Sequence, residues 1–246
     1  MADLQILDLI LFALGTFAAA VVTGVAGFAF GIVAAAVWLY VLSPAHTTAL
    51  IVAYGLIVQG ISAWKLRRSI KLVWLLPFLL GAAIGVPIGV ELLHWVSPAI
   101  VRISIGIVLI LFSLYNLMRP QFAPVAAGKA ADGTIGLLNG VIGGATGLAG
   151  IAVTIWCTLR GWPRDEQRTI FQPTGVAVFL MTGLSLGGTG LVDAETVQLF
   201  VIGLPLLLAG TWAGLRLYAR LDEGGFRKVV LGLLLISGVG LVMRGS

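Results

Sequence analysis

Long apolar runs recur along the whole chain, and they decide its fold class before any other feature. Stretches of about 18 or more mostly apolar residues each suit a membrane helix. Apolar segments fall at roughly 4–22, 29–42, 46–64, 72–93, 99–118, 133–145, 149–159, 169–186, 195–217 and 226–243. A soluble domain cannot hide this much apolar surface. Hydrophobic types make up 59% of the 246 residues and charged types 10%, against about 25% charged in ordinary soluble chains. Mean hydropathy is +1.09. A β-barrel would need short alternating segments instead of long runs. The expected class is an all-α polytopic membrane protein.

One polar stretch, 119–132, interrupts the pattern, with Pro120, Pro124, Gly128 and Lys129. It divides the chain into a first membrane repeat, 1–118, a cytoplasmic linker, 119–132, and a second repeat, 133–246. The two halves match in order. Thr23-Gly24-Val25-Ala26-Gly27-Phe28 aligns with Gly143-Gly144-Ala145-Thr146-Gly147-Leu148, and Ser43-Pro44 with Trp162-Pro163. Pro77 aligns with Pro205, and Gly81 and Gly85 with Gly210 and Gly214. Shared order at similar spacing points to an internal duplication.

Loop charge sets the orientation. Lys65, Arg67, Arg68 and Lys71 crowd one connection; Arg160, Arg164 and Arg168 another; Arg216, Arg220, Arg227 and Lys228 a third. The connections near 43–45, 94–98 and 187–194 carry no Lys or Arg. Basic loops belong in the cytoplasm. The linker is then inside and both ends of the chain outside, so each half crosses an odd number of times. The halves thus form two inverted-topology repeats of about four to five segments each, with Gly-broken or re-entrant helices, as in many secondary transporters. Whether the short paired segments span or re-enter is open. Met1–Asp8 lacks the basic residues of a signal peptide and reads as part of the first helix. Trp74, Trp95 and Trp162 fall near segment ends, as in an interfacial belt.

Gly24, Gly27 and Gly31 interrupt the first segment pair; Gly140, Gly143, Gly144, Gly147 and Gly150 interrupt the second. Glycine eases unwinding at membrane depth, where irregular backbone must be buried in protein or line a wet cavity. A helix restarting there presents free N–H groups and a positive dipole end, an anion site without a charged side chain. Thr23 and Thr146 add hydroxyls. Gln59, Gln172 and Thr174 are polar residues inside apolar segments, and a Gln amide donates two hydrogen bonds to an oxyanion. Tyr54, Ser62 and Asn139 are further mid-segment polar residues. Gly81, Gly85, Gly89, Gly210 and Gly214, four residues apart, read instead as close-packing positions.

Ionisable residues within the segments are few: Asp8, Glu91, His94 and Arg102, all within reach of an interface. His46 and Glu91 are the candidates for proton coupling. No metal-ligand spacing appears among two His and one Cys, and no G-x-x-x-x-G-K loop is present. No cofactor, metal, enzymatic activity or nucleic-acid partner is expected. The net charge of +5 is spread through short loops. Cys157 is the only cysteine, so no disulfide forms within the chain.

The run Gly24-Val25-Ala26-Gly27-Phe28-Ala29-Phe30-Gly31, followed by Ser43-Pro44-Ala45, resembles the first-half signature of the TauE/SafE family of sulfite and organosulfonate exporters. Gly140-Val141-Ile142-Gly143-Gly144-Ala145-Thr146-Gly147, with Pro163, resembles its second-half signature. The likeness covers nearly the whole chain. Family members commonly carry a run of adjacent glycines in each half with a proline after it. Here the first run is diluted to Gly27-Phe28-Ala29-Phe30-Gly31, and the second is Gly143-Gly144.

The resemblance implies a bacterial inner-membrane, multi-pass exporter of small sulfur-containing anions such as sulfite or sulfoacetate. It would work by alternating access, with the anion held near the midplane between the two breaks. Export of an anion from a negative-inside cell is favoured by roughly 2.3 kcal/mol per charge per 100 mV. Other classes are a channel or facilitator for another small anion or solute, and a membrane assembly factor without a substrate. Partners are the anionic substrate and the bilayer, with a homo-oligomer open.

Overall fold

The computed structural model describes residues 6–26, 29–118, 124–189, 192–218 and 223–245. Among the described residues, all regular structure is helical, in ten helices: α1 (Ile6–Ala26), α2 (Phe30–Trp38), α3 (Pro44–Leu66), α4 (Leu72–Trp95), α5 (Pro98–Met118), α6 (Lys129–Thr146), α7 (Ile151–Leu159), α8 (Arg164–Thr189), α9 (Ala194–Tyr218) and α10 (Glu223–Gly245). Six of them, α1, α3, α4, α5, α8 and α9, are long and apolar enough to cross a bilayer. By contrast, α2 and α7 have nine residues each. At 1.5 Å per residue they reach about 14 Å, half of a hydrocarbon core of about 30 Å.

Helix starts are set by local chemistry. α8 begins at Arg164, five residues before the apolar segment expected at 169, because Pro163 precedes a first turn carrying Asp165 and Glu166. Proline at a helix start and acids in the first turn both suit an N-terminus. α6 likewise starts at Lys129, inside the expected linker, and takes Asp132 into its first turn.

The chain forms two compact units, each drawing on both halves of the sequence. One comprises Met1–Ile51, Val96–Pro120 and Val192–Ser246; the other comprises Val52–Trp95 and Gln121–Leu191.

In the first unit α1 runs parallel to α9. A Cβ at Gly24 would lie 2.6 Å from the Thr211 carbonyl oxygen and 2.9 Å from Gly214 Cα. One turn earlier, Gly210 meets Phe17 and Ala20. α5 and α10 meet at Gly106 and Gly238. Trp38 at the end of α2 is fully buried, stacks 5.2 Å from Phe12 and donates its indole N–H to the Phe12 carbonyl at 3.3 Å.

In the second unit α4 runs parallel to α6. Cβ atoms at Gly81, Gly85 and Gly89 would overlap the carbonyls of Gly133, Leu137 and Val141, and those at Gly136, Gly140 and Gly144 would overlap Phe78, Ala82 and Val86. Small residues let membrane helices approach to backbone contact, which is the packing role expected for the glycines at four-residue spacing. α3 lies antiparallel to α8, with Gly55 against Phe179 and Gly183 against Val52.

Within each unit, residues of different connections meet. The basic end of the second unit joins three of them. Trp74, at the start of α4, meets Trp162, between α7 and α8, edge to face at 5.4 Å. The linker residue Val125 donates its N–H to Leu159 O at 2.9 Å. In the first unit, His46 at the start of α3 meets Asp193 at the start of α9, 3.1 Å apart, joining two connections without Lys or Arg.

Candidate functional site

The break between α6 and α7 is built by two left-handed glycines and one distant side chain. Gly147 has φ 72 and Gly150 φ 101, a region that costs other residues roughly 1–2 kcal/mol. Gly147 closes α6 by donating its N–H to Gly143 O at 2.8 Å. The Thr146 hydroxyl donates to Ile142 O at 2.6 Å and accepts the Leu148 N–H at 3.2 Å. Gly150, which precedes α7, brings no side chain to cap it. The cap comes from Asn139, eleven residues upstream on α6, whose Oδ1 accepts the Gly150 N–H at 2.8 Å.

That bond fixes the amide. A backbone N–H only donates, so the oxygen of Asn139 must face it and Nδ2 must face the other way. Asn139 is fully buried, and its Nδ2 has no hydrogen-bond partner. A buried amide donor left unpaired costs about 1–3 kcal/mol, so the position invites an acceptor. Gly150 is itself buried, yet apart from its chain neighbours no atom lies within 4 Å of the place a Cβ would take. The first intrahelical bond of α7 runs from Thr154 N–H to Gly150 O at 2.9 Å. The N–H groups of Ile151, Ala152 and Val153 therefore belong to the open end of the helix. Together these give amide donors, a positive dipole end and empty space, without a charged side chain. The opposite end of α7 is Arg160, about 14 Å away along the helix.

A second restart lies in the first unit. Ala29 precedes α2 at φ 83 without a side-chain cap, and Val33 N–H makes the first bond to Ala29 O at 3.1 Å. A non-glycine residue held there is strained, and such strain concentrates at functional positions. The C-terminal end of α2 is neutralised by two cations. Arg102 Nε donates to Leu39 O at 3.2 Å, and Arg244 Nη1 to Tyr40 O at 3.3 Å. Gly31 sits half-buried in the first turn of α2. Gly27 lies outside the described residues.

Other sequence candidates fall at the helix contacts. Thr23 is buried and returns its hydroxyl to Ala19 O at 2.7 Å. Gly24 faces α9 and Gly144 faces α4, both at backbone distance, while Gly143 abuts Val178 of α8 and Ala149 of the break. Thr174, fully buried, donates to Ile170 O at 2.7 Å. It shares a side of α8 with Val178, toward the break.

Gln172 lies elsewhere. Two residues on a helix differ by about 200° in direction, so Gln172 points away from Thr174 and shares the Gly175 side. Gln59 of α3 reaches that same side, its Oε1 occupying the space a Cβ at Gly175 would need. The Oε1 atoms of Gln59 and Gln172 are both buried without a partner. Gly175 thus lies on α8 between the Gln172 side and the Val178 side, and Gln59 reaches it from α3.

Of the proton-coupling candidates, Glu91 is exposed and accepts the Trp95 indole N–H. His46 meets Asp193. Asp193 accepts Thr196 N–H at 2.8 Å and the Thr196 hydroxyl at 2.9 Å. The Thr196 bonds, with His46 beside them, hold its carboxyl down at about 2.

Sequence reading treats Arg160 as a topology marker and leaves Asp132 aside. The structure makes them one cluster. Buried Asp132 accepts the Trp156 indole N–H at 2.7 Å and lies 3.7 Å from Arg160 Nη1, which also bonds Ala127 O in the linker. An acid in the first turn of α6, with an Arg at the end of the short helix that follows, is the sequence signal for it.

No curated protein and no solved structure matches the chain significantly. The model of the sulfite exporter TauE/SafE family matches residues 11–241, a span that includes both helix restarts and the Asn139 cap. A multi-pass helical membrane protein matched over nearly its whole length in this way belongs to the sulfite exporter TauE/SafE family.

Proposed function

We propose that this chain is a secondary transporter that exports a small sulfur-containing anion, sulfite or an organosulfonate, across a bacterial inner membrane by alternating access. The carrying observation is the arrangement of donors at the start of α7. A fully buried Asn139 presents an unpaired Nδ2 beside an open helix N-terminus and empty space at Gly150. Helix N-termini bind anions through N–H groups and dipole together, and half-helix N-termini at mid-depth are a recurring transporter device. Nine-residue α7 carries its start about halfway into the core.

The α2 restart is its proposed counterpart in an inverted repeat. Support comes from paired features: α1 and α6 end at Ala26 and Thr146, which align in sequence, and each is followed by a nine-residue helix. Each also packs parallel to the fourth helix of the other half. Gln59 and Gln172, with buried unpaired amide oxygens, are assigned a second polar station on the α3 side of α8.

A thermal-stability panel on the purified protein tests the reading, using sulfite, thiosulfate, sulfate, sulfoacetate, taurine, a monocarboxylate and chloride at matched ionic strength. A ligand bound only by the folded state raises the midpoint saturably. The expected result is a saturable rise with sulfite or a sulfonate. A rise confined to a ligand without sulfur contradicts the substrate assignment.

A further inference from the structure

We propose that the α7 pocket takes singly charged oxyanions and turns dianions away, so that sulfite is bound as hydrogensulfite. The inference rests on the transport reading above and sharpens its substrate.

The charge available in the pocket is small. A helix N-terminus supplies about half a positive charge, and the Asn139 amide adds a dipole but no net charge. The cost of moving an ion out of water grows with the square of its charge, so a dianion of similar size faces about four times the penalty of a monoanion. Matching that penalty requires cations, and the described cations of this unit are elsewhere. Arg67, Arg68 and Lys71 lie around the α3–α4 connection, Lys129 at the start of α6 and Arg168 near the start of α8. Arg160 is held at the far end of α7 by Asp132 and Ala127 O.

Nor, among the described side chains, does a titrating group take the second charge. On the helices packed around the break, Asp132 is engaged by Trp156 at the other end of α6. Cys157 faces the apolar cluster of Phe78, Val153 and Ile170. Asp165 and Glu166 are exposed in the first turn of α8. Glu91, two residues past Gly89, is turned about 200° from the α6 contact and bonds Trp95. The proton that distinguishes the bound form therefore belongs to the ligand. A carrier loaded with hydrogensulfite moves that proton along with the anion, and the cell's pH gradient then acts on transport through the substrate itself.

The test is a binding series on the full chain in detergent, by calorimetry under argon, from about one pH unit below to two above the second ionisation of sulfite. Methanesulfonate, a monoanion throughout, serves as control, and sulfate as the dianion. A site that admits only the monoanion loses apparent affinity for total sulfite by about tenfold per pH unit above that ionisation, following the competent fraction. Methanesulfonate affinity stays flat over the same range, and sulfate shows no saturable binding. Sulfite affinity that holds or rises as the dianion forms, or sulfate binding as tight as methanesulfonate, overturns the proposal while leaving an anion site in place. Absence of saturable binding by both sulfite and methanesulfonate overturns the transport reading and this proposal together.

Discussion

Asn139 Oδ1 accepts the Gly150 N–H at 2.8 Å, so one fully buried side chain both caps α7 and keeps an unpaired Nδ2 beside that cap. Asn139→Asp separates these two tasks. The carboxylate keeps an oxygen for Gly150 but replaces the donor with a second acceptor and a negative charge. The variant is expected to fold and to lose anion binding by at least about tenfold, since one lost charge-assisted bond is worth about 1.5–3 kcal/mol. Asn139→Ala removes the cap as well and costs about 1 kcal/mol of stability. Calorimetric titration beside thermal melts separates the two effects.

The α4–α6 seam predicts a sharp contrast between glycines. Gly85→Leu drives a side chain into the backbone of Leu137 and Val141, and overpacking of this kind costs about 1–3 kcal/mol or more. Gly232 of α10 has no atom within 4 Å of a Cβ. Gly232→Ala is expected to raise the melting temperature slightly, since helix propensity favours Ala by about 1 kcal/mol. Melts of the two variants in one detergent check the pair.

Loop orientation is testable with one added cysteine at a time. Native Cys157 is fully buried and should stay silent to an impermeant maleimide. Ser69→Cys, in the basic α3–α4 turn, is expected to label only in inverted vesicles. Ser97→Cys, just before α5, is expected to label in right-side-out vesicles. Labelling of both from one side contradicts the assigned topology.

Asp193 gives a pH prediction. Its folded pKa of about 2 lies below the usual carboxylate value of about 3.9. A depressed acid contributes stability that is complete above its unfolded pKa and is lost as pH falls through the folded one. Asp193→Asn keeps the cap to Thr196 but removes the charge. The wild-type advantage should be present at neutral pH and shrink between about pH 4 and pH 2. Because the side chain is half exposed, the effect is small, and acid melts of both proteins measure it.

Much of the fold was legible because apolar run length is a local signal. The ten segments and the four-residue glycine seams can be read without any tertiary information, whereas the nine-residue length of α2, within an apolar segment of 29–42, cannot. The family signature sits on the glycine breaks. The pocket was less legible because its determinants are relational. The reach from Asn139 to Gly150 exists only once the chain has folded back, and an isolated Asn in an apolar segment looks like any interhelical bond. Gln172 and Thr174 sit two apart in sequence, yet the helix turns them to opposite sides. Polar neighbours place Asp132 in the linker, whereas the helix starting at Lys129 buries it against Trp156.

A chain that carries a sulfur oxyanion past the start of α7 must show counterflow in proteoliposomes. Vesicles preloaded with unlabelled sulfite should transiently accumulate radiolabelled sulfite above equilibrium, with saturable rates, and Asn139→Asp should abolish that overshoot while inserting normally. Flux without overshoot or saturation would mean a channel, and unchanged counterflow in Asn139→Asp would show that the pocket at α7 is not where the anion binds.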